Sequence, residues 1–151
     1  MTADRELDTL IASFDEAVNT GLAYLAGPGA ESGVKIESWT AREVLAHMVF
    51  WHQATVEGME AVGSNGEPYQ IDASTDEVNA EHVAALADTS TADIAGQIRE
   101  LQTRLVAAVQ SLDDPSAIVF IRSSGVGSSA LQRLEMMANH WNGHIHELQA
   151  Q

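Results

Sequence analysis

The sequence predicts an all-α protein of four or five helices. Apolar residues recur at three- and four-residue spacing through most of the chain, several segments begin with helix-capping patterns, and only one short run is rich in strand-forming residues. With 151 residues, of which 45% are hydrophobic, the chain is long enough to bury one core. We therefore expect a single domain that spans residues 1–151.

The first helix is predicted over residues 4–26. Its apolar positions have the spacing that places them on one face of a helix. They are Leu7, Leu10, Ile11, Phe14, Ala17, Val18, Leu22 and Leu25. Gly27-Pro28-Gly29 follows and is expected to end this helix.

The second helix is predicted to begin just after Thr40. The Thr40 hydroxyl can accept a hydrogen bond from the backbone of Glu43, and the Glu43 carboxylate can accept one from the backbone of Thr40. This reciprocal capping box marks the start of the helix clearly. The helix should continue to Val62, before residues 63–68, rich in Gly, Ser and Asn, interrupt it.

Two further helical segments are predicted between residues 74 and 112. Ser74 and Glu77 repeat the capping pattern and open the third helix, which continues to Leu86. Another start near Ser90 or Thr91 leads into a long apolar stripe that Asp113-Asp114-Pro115 ends. The pattern leaves open whether these segments form one bent helix or two.

Residues 116–128 contain the strand-like run Ala117-Ile118-Val119-Phe120-Ile121. Because a single short strand would have no partner, we interpret this segment as a buried loop. Gly125-Val126-Gly127-Ser128 follows no convincing strand, so it is not interpreted as a phosphate-binding loop. The last helix is predicted to begin near Ser129, with Gln132 placed to complete its cap.

Composition excludes several classes of partner. Seven Lys and Arg residues against 22 Asp and Glu give a net charge of −15, which repels phosphate backbones and anionic lipid surfaces. We therefore expect neither nucleic acid nor a membrane as partner. Because the chain has no cysteine, any thiol chemistry would need a thiol from another molecule. No signal peptide or membrane span is recognisable, so a cytoplasmic location is expected.

Histidines on two of the predicted helices are candidate metal ligands. His140 and His144 are four residues apart, so they project from one face of the last helix, whereas His146 projects to its polar side. The second helix offers His47, at the margin of its apolar stripe, and His52, in the middle of it. Periodicity slightly favours His52 as the buried one, but burial does not identify a ligand. His82, on a charged helix, is expected to be exposed.

Three segments resemble motifs of the DinB-like family of four-helix-bundle metalloproteins, which includes the bacillithiol transferases and is related to mycothiol-dependent maleylpyruvate isomerases. Residues 38–47, Ser-Trp-Thr-Ala-Arg-Glu-Val-Leu-Ala-His, resemble the second-helix motif that ends in a metal-binding histidine. Residues 76–79, Asp-Glu-Val-Asn, resemble the acidic stretch that opens the third helix, and Asn139-His140 with His144 resembles the last-helix pair. The resemblance spans nearly the whole chain and implies a four-helix bundle, with one extra short helix.

The resemblance also implies a set of metal ligands. It favours His47 over His52 as the partner of His140 and His144. In the related isomerases a Glu replaces one histidine, and the absence of Glu four residues before His140 favours a three-histidine site here. The family's His-His-Arg-Gly-Gln tail is replaced by residues 143–147, Gly-His-Ile-His-Glu, which keeps the triad but changes its surroundings. Three imidazoles suit Zn²⁺, Ni²⁺, Fe²⁺ or Mn²⁺.

The implied activity is a metal-dependent transfer in which a low-molecular-weight thiol attacks a small electrophilic substrate. Two alternatives stay open: a metal-dependent hydrolase, and a bundle that binds a metal or small molecule without turnover. Members of the family often form dimers, and the mostly apolar second helix would offer an interface for a homodimer.

Overall fold

The helices form a four-helix bundle in the computed structural model, which describes residues 2–28, 35–36 and 39–149. The helices in this part of the chain are α1 (Thr2–Leu25), α2 (Ala41–Gly63), α3 (Thr75–Ala85), α4 (Thr91–Gln110) and α5 (Ala130–Gln149). Helix α1 packs mainly on α5 and α2 mainly on α4, while the shorter α3 lies against α2. The predicted fold class is confirmed, and the two middle segments are separate helices. None of these helices is long and apolar enough to cross a membrane.

Capping boxes fix the starts of the two helices that carry the candidate ligands. At α2, Thr40 Oγ1 accepts a hydrogen bond from the Glu43 backbone N–H (3.3 Å), and the Glu43 carboxylate accepts one from the Thr40 N–H (3.1 Å). At α5, Ser129 and Gln132 make the same exchange at 3.1 and 2.9 Å. A side-chain cap of this kind stabilises a helix by about 1 kcal/mol. Both starts lie where the sequence predicts them.

Helix α2 occupies the centre of the core. Most of its length is buried by the other helices and by a small sheet. Its buried residues are Ala41, Val44, Leu45, Ala46, His47, Met48, Val49, Phe50, Trp51, His52, Ala54, Thr55, Val56, Gly58 and Met59. The expectation that this helix leaves an apolar face for a homodimer is therefore wrong, because the chain itself covers that face. Dimerisation stays a prediction that rests on the family resemblance alone.

The interpretation of residues 116–128 as a loop is wrong, because part of this segment joins a sheet. The strands in the described ranges are β1 (Lys35–Ile36), β2 (Trp39–Thr40), β3 (Tyr69–Gln70), β4 (Ile118–Ile121) and β5 (Gly127–Ser129). β1 and β2 form an antiparallel pair before α2. β4 pairs in parallel with β3 and antiparallel with β5, so the strand-like run has two partners.

A tight turn between β4 and β5 corrects a second interpretation. The sequence pattern shows no convincing strand before Gly125-Val126-Gly127-Ser128, which is why these residues are not interpreted as a phosphate-binding loop. In the structure a strand, β4, does precede them. Gly125 has a φ of 89°, a backbone conformation that glycine adopts without steric penalty, and its N–H donates to the Arg122 carbonyl at 2.8 Å. The glycines here belong to a β-hairpin whose second strand, β5, leads into α5.

A pair of glycine-to-alanine substitutions should have opposite effects on stability. A Cβ at Gly58 would collide with the Val119 backbone carbonyl, whereas a Cβ at the exposed Gly96 on α4 would meet nothing within 4 Å. We expect Gly58→Ala to lower the free energy of unfolding by about 1–3 kcal/mol, because α2 and β4 must separate. Gly96→Ala should raise it by about 0.5–1 kcal/mol, because alanine is the better helix former. Urea denaturation measures both, and equal stabilities of the two variants would contradict the close contact.

Candidate metal centre

His47, His140 and His144 meet where α2 faces α5. The Nε2 atom of His140 lies 3.3 Å from Nε2 of His47 and 2.7 Å from Nε2 of His144. One ring nitrogen from each histidine lies within 4.8 Å of the others. His47 is buried, and the other two are half-buried. The structure thus brings the three sequence-predicted residues together, while metal binding by them stays a prediction.

The backbone of α2 orients His47. Its Nδ1 donates a hydrogen bond to the Val44 backbone carbonyl at 2.6 Å, so the proton is on Nδ1 and the lone pair is on Nε2. The Trp39 ring packs against the imidazole with 4.8 Å between ring centroids. A hydrogen bond from the second nitrogen is the usual way in which proteins fix a histidine ligand. His47 therefore presents an unprotonated nitrogen to His140 and His144.

Burial keeps the three imidazoles neutral. It lowers the pKa of His47 to about 3, with further contributions from the neighbouring His140 and His144. It lowers the pKa of His140 to about 4, where His144 and Arg133 add to the effect. Burial also lowers the pKa of His144, although Glu147 acts in the opposite direction. Since neutral imidazole is the form that binds metals, all three donors are ready at neutral pH.

The donor set fits a divalent cation. In a tetrahedral zinc site with Zn–N bonds of about 2.0–2.1 Å, two ligand nitrogens are about 3.3 Å apart. The His47–His140 separation of 3.3 Å matches this value, and the His140–His144 separation of 2.7 Å is shorter. Without a cation, one N–H on His140 could not satisfy both neighbouring nitrogens. The three histidines could therefore hold a metal and leave coordination positions open for a ligand.

His52 lies outside this cluster. Its Nε2 accepts a hydrogen bond from the Trp141 indole N–H at 2.8 Å, and its Nδ1 has no partner among the described residues. His52 is fully buried, as its place in the apolar stripe suggests, but His47 is only 1% exposed. Burial therefore does not distinguish the two histidines. The resemblance does, because it selects the one that faces α5's histidine pair.

The remaining histidines do not join the cluster either. His146 is exposed, as expected. His82 is half-buried and stacks on the Phe50 ring with 4.1 Å between centroids, so the expectation that it is exposed is wrong. The cause is that α3 packs on α2, a contact that the charge pattern of α3 does not reveal.

A cavity of about 220 Å³ adjoins His140. It is lined by Trp51, Thr75, Asn79, Arg122, Arg133, Met136, Met137 and His140. The Trp51 indole N–H donates to Asn79 Oδ1 at 2.8 Å, which connects α2 and α3 at the cavity wall. A larger depression of about 500 Å³ shares Arg122 and Met136 with this cavity but includes none of the three histidines. The smaller cavity is therefore the one next to the candidate metal centre.

Arg133 is a candidate functional residue that was not expected from the sequence. Its side chain is only 3% exposed, its Nε donates to Thr55 Oγ1 at 3.1 Å, and its guanidinium carbon lies 4.3 Å from the centre of the Phe120 ring. A signal was present, because Arg133 precedes His140 by seven residues, which is about two helical turns. The two side chains therefore lie on the same face of α5.

Comparisons with known proteins agree with this fold. The family model described as the DinB superfamily matches residues 28–148. The crystal structure of a mycothiol-dependent maleylpyruvate isomerase matches with a TM-score of 0.76 and 18% sequence identity, over 94% of this chain and 60% of that chain. A histidine-to-alanine mutant of the same isomerase matches with the same values. No curated protein sequence matches at a significant level.

The structural match covers only part of the isomerase. This chain spans 60% of the length of the isomerase, so a large part of that protein has no counterpart here. At 18% identity the similarity concerns the fold.

Proposed function

The chain belongs to the DinB superfamily, and from this premise we propose that it is a metal-dependent transferase that uses a low-molecular-weight thiol as nucleophile. The observation that carries the proposal is the convergence of three neutral imidazoles beside a cavity of about 220 Å³. The similar isomerase depends on mycothiol, which supports the choice of a thiol. Because this chain has no cysteine, the thiol would be a second small molecule.

In this proposal His47, His140 and His144 hold one divalent ion, either Zn²⁺, Ni²⁺, Fe²⁺ or Mn²⁺. When bound, the ion would stabilise the thiolate form of the thiol near neutral pH. The hydrogen bond from His47 Nδ1 to Val44 keeps the Nε2 lone pair directed at this position. The low pKa values of His47 and His140 prevent protons from competing with the ion.

The cavity beside His140 would hold the electrophilic substrate. Trp51, Met136 and Met137 supply apolar surface that excludes water from the reacting atoms. Asn79 Oδ1 accepts the hydrogen bond from Trp51, so the amide nitrogen of Asn79 stays available to donate to a substrate oxygen. The size of the cavity suits a small molecule rather than a polymer.

A thiol titration of the Co²⁺-loaded protein tests the proposal. We expect N-acetylcysteine to add a sulfur-to-metal absorption band, whereas N-acetylserine, which differs only in the nucleophilic atom, leaves the spectrum unchanged. The band should be absent in His140→Ala and present in His146→Ala, which alters an exposed histidine of the same helix. Mixing with 1-chloro-2,4-dinitrobenzene then measures whether the bound thiol displaces chloride from the ring, forming a thioether, faster than the free thiol does.

Other outcomes would favour the alternatives. A spectrum that changes with pH but not with any thiol would overturn the transferase and favour a hydrolase that activates water. A Co²⁺ spectrum that responds to neither thiol nor pH would overturn both enzyme proposals and leave a metal-binding bundle without turnover.

A further inference from the structure

Among the residues that the structure describes, Arg133 is a buried cation without an anionic partner. Within the described ranges it is the only Lys, Arg, Asp or Glu residue that is buried. No carboxylate in these ranges lies within 4 Å of its guanidinium. An unpaired charge is unfavourable in a protein interior. The chain contains 22 Asp and Glu residues, so the absence of a partner does not reflect a shortage of carboxylates.

Two other arginines show how this protein usually satisfies a guanidinium. Arg104 makes two hydrogen bonds to the Glu60 carboxylate on the surface, and Arg42 donates to the backbone carbonyls of Leu86 and Thr89. Arg133 makes one hydrogen bond, from Nε to the Thr55 hydroxyl. Of the five N–H donors of its guanidinium, four have no partner in the part of the chain that the structure describes.

Arg133 lines the cavity beside His140, so its charge lies at the cavity wall. Arg122, exposed on the β4–β5 hairpin, lines the same cavity. Burial lowers the pKa of Arg133 to about 10, with a smaller effect from the nearby charge of Arg122. Arg133 is therefore cationic at neutral pH, and the Arg122 side chain lies near it. In a chain with a net charge of −15, this cavity is a local region of positive charge.

We propose that the cavity binds a small carboxylic acid, with its carboxylate on the guanidinium of Arg133 and the rest of the molecule extending toward His140. The two terminal nitrogens of a guanidinium match the two oxygens of a carboxylate, and the resulting hydrogen bonds are strong. A volume of about 220 Å³ corresponds to about seven water molecules, enough for an acid of a few carbons.

This proposal makes Arg133 a residue that determines substrate specificity. The proposal rests on the proposed function in one respect: the bound acid is the electrophilic substrate only if the protein is a thiol transferase. Binding of the carboxylate itself requires no metal, so it can be measured independently. Arg122 would attract the acid to the cavity, and Trp51 would pack on its carbon chain.

Calorimetric titration of the 151-residue chain tests the proposal, both as isolated and after metal removal and dialysis against chelator-free buffer. Succinate is the probe, and succinamide is its neutral counterpart of the same shape. We expect succinate to bind in both preparations and succinamide to bind about tenfold more weakly or worse. Equal affinities, or succinate binding that disappears with the metal, would overturn the proposal. Tighter binding of methyl phosphate than of succinate would overturn the choice of a carboxylate.

Substitutions locate the bound carboxylate. Arg133→Gln should weaken succinate binding by about tenfold or more. Arg133→Lys keeps the charge but not the planar donor pair, so its affinity for succinate should lie between those of Arg133→Gln and wild type. Arg104→Gln removes one charge from a surface ion pair that does not line the cavity, and this variant should bind succinate like wild type. Circular dichroism checks folding. If Arg133→Gln does not fold, the proposal is still tested by the affinity of Arg133→Lys for succinate and by the comparison of succinate with succinamide on wild type.

The two proposals can fail separately. Succinate binding through Arg133, combined with a Co²⁺ spectrum that no thiol changes, would reject the thiol transferase and leave the carboxylate site. A spectrum that responds to thiol, combined with no carboxylate binding, would reject the carboxylate site and leave the transferase.

Discussion

Replacement of His47, His140 or His144 by alanine is expected to remove most of the affinity for a divalent metal. Structural zinc sites with four ligands bind with about 10–16 kcal/mol, so one ligand contributes about 2.5–4 kcal/mol. Loss of one ligand should therefore weaken metal binding by about 10²–10³-fold. Each of these histidines contributes one nitrogen to the cluster, so the three single variants should behave alike.

Elemental analysis of untagged protein, purified without chelator and reconstituted with Zn²⁺, measures this effect. We expect about one metal per chain in wild type and in His146→Ala, and little in the three ligand variants. His146 is the matched control because it is exposed and lies two residues from His144 on the same helix. Circular dichroism should show that all variants stay helical. If reconstituted wild type held no metal, both the site and the transferase would be refuted.

Local signals made the helices predictable. The capping boxes at Thr40 and Ser129 involve side chains three residues away, so they can be recognised without knowledge of the fold. The first helix, predicted over residues 4–26, is Thr2–Leu25 in the structure. Four of the five described helices carry enough apolar residues at regular spacing for their faces to be identified.

The sheet was not predictable in the same way. β4 depends on β3, which lies nearly 50 residues earlier and is only two residues long. Two residues cannot show an alternating pattern. The strand-like run was therefore recognised, but the partners that turn it into a strand were not.

The candidate site was only partly predictable from periodicity. His47 and His52 are five residues apart, which places them about 140° apart around α2, so they face different neighbours. His52 meets Trp141, and His47 meets the histidine pair. Periodicity shows which side chains are buried, but it does not show which neighbour each one meets. Arg133 was missed because an arginine on a helix is usually on the surface.

His52 should make the fold sensitive to acid. Burial lowers its pKa to about 3, and the charge of Arg133 adds to this effect. In the unfolded chain the pKa of histidine is about 6.5, so the unfolded state binds a proton at a higher pH than the folded state. The stability that neutral His52 provides is therefore complete above about pH 6.5 and is lost progressively as the pH falls toward 3. Between pH 7 and pH 4 this loss should be about 3 kcal/mol.

A comparison with His52→Gln isolates the contribution of this one residue, because glutamine keeps a hydrogen-bond acceptor but does not titrate. Urea denaturation of the metal-free proteins should show that wild type is more stable than His52→Gln at pH 7, and that this difference shrinks by about 3 kcal/mol by pH 4. His146→Gln, an exposed control on α5, should follow the wild-type curve. The buried histidines of the metal cluster are present in all three proteins, so most of their contribution cancels in the comparison, apart from the repulsion between His140 and protonated His52. Parallel curves for wild type and His52→Gln would show that His52 does not govern the acid response.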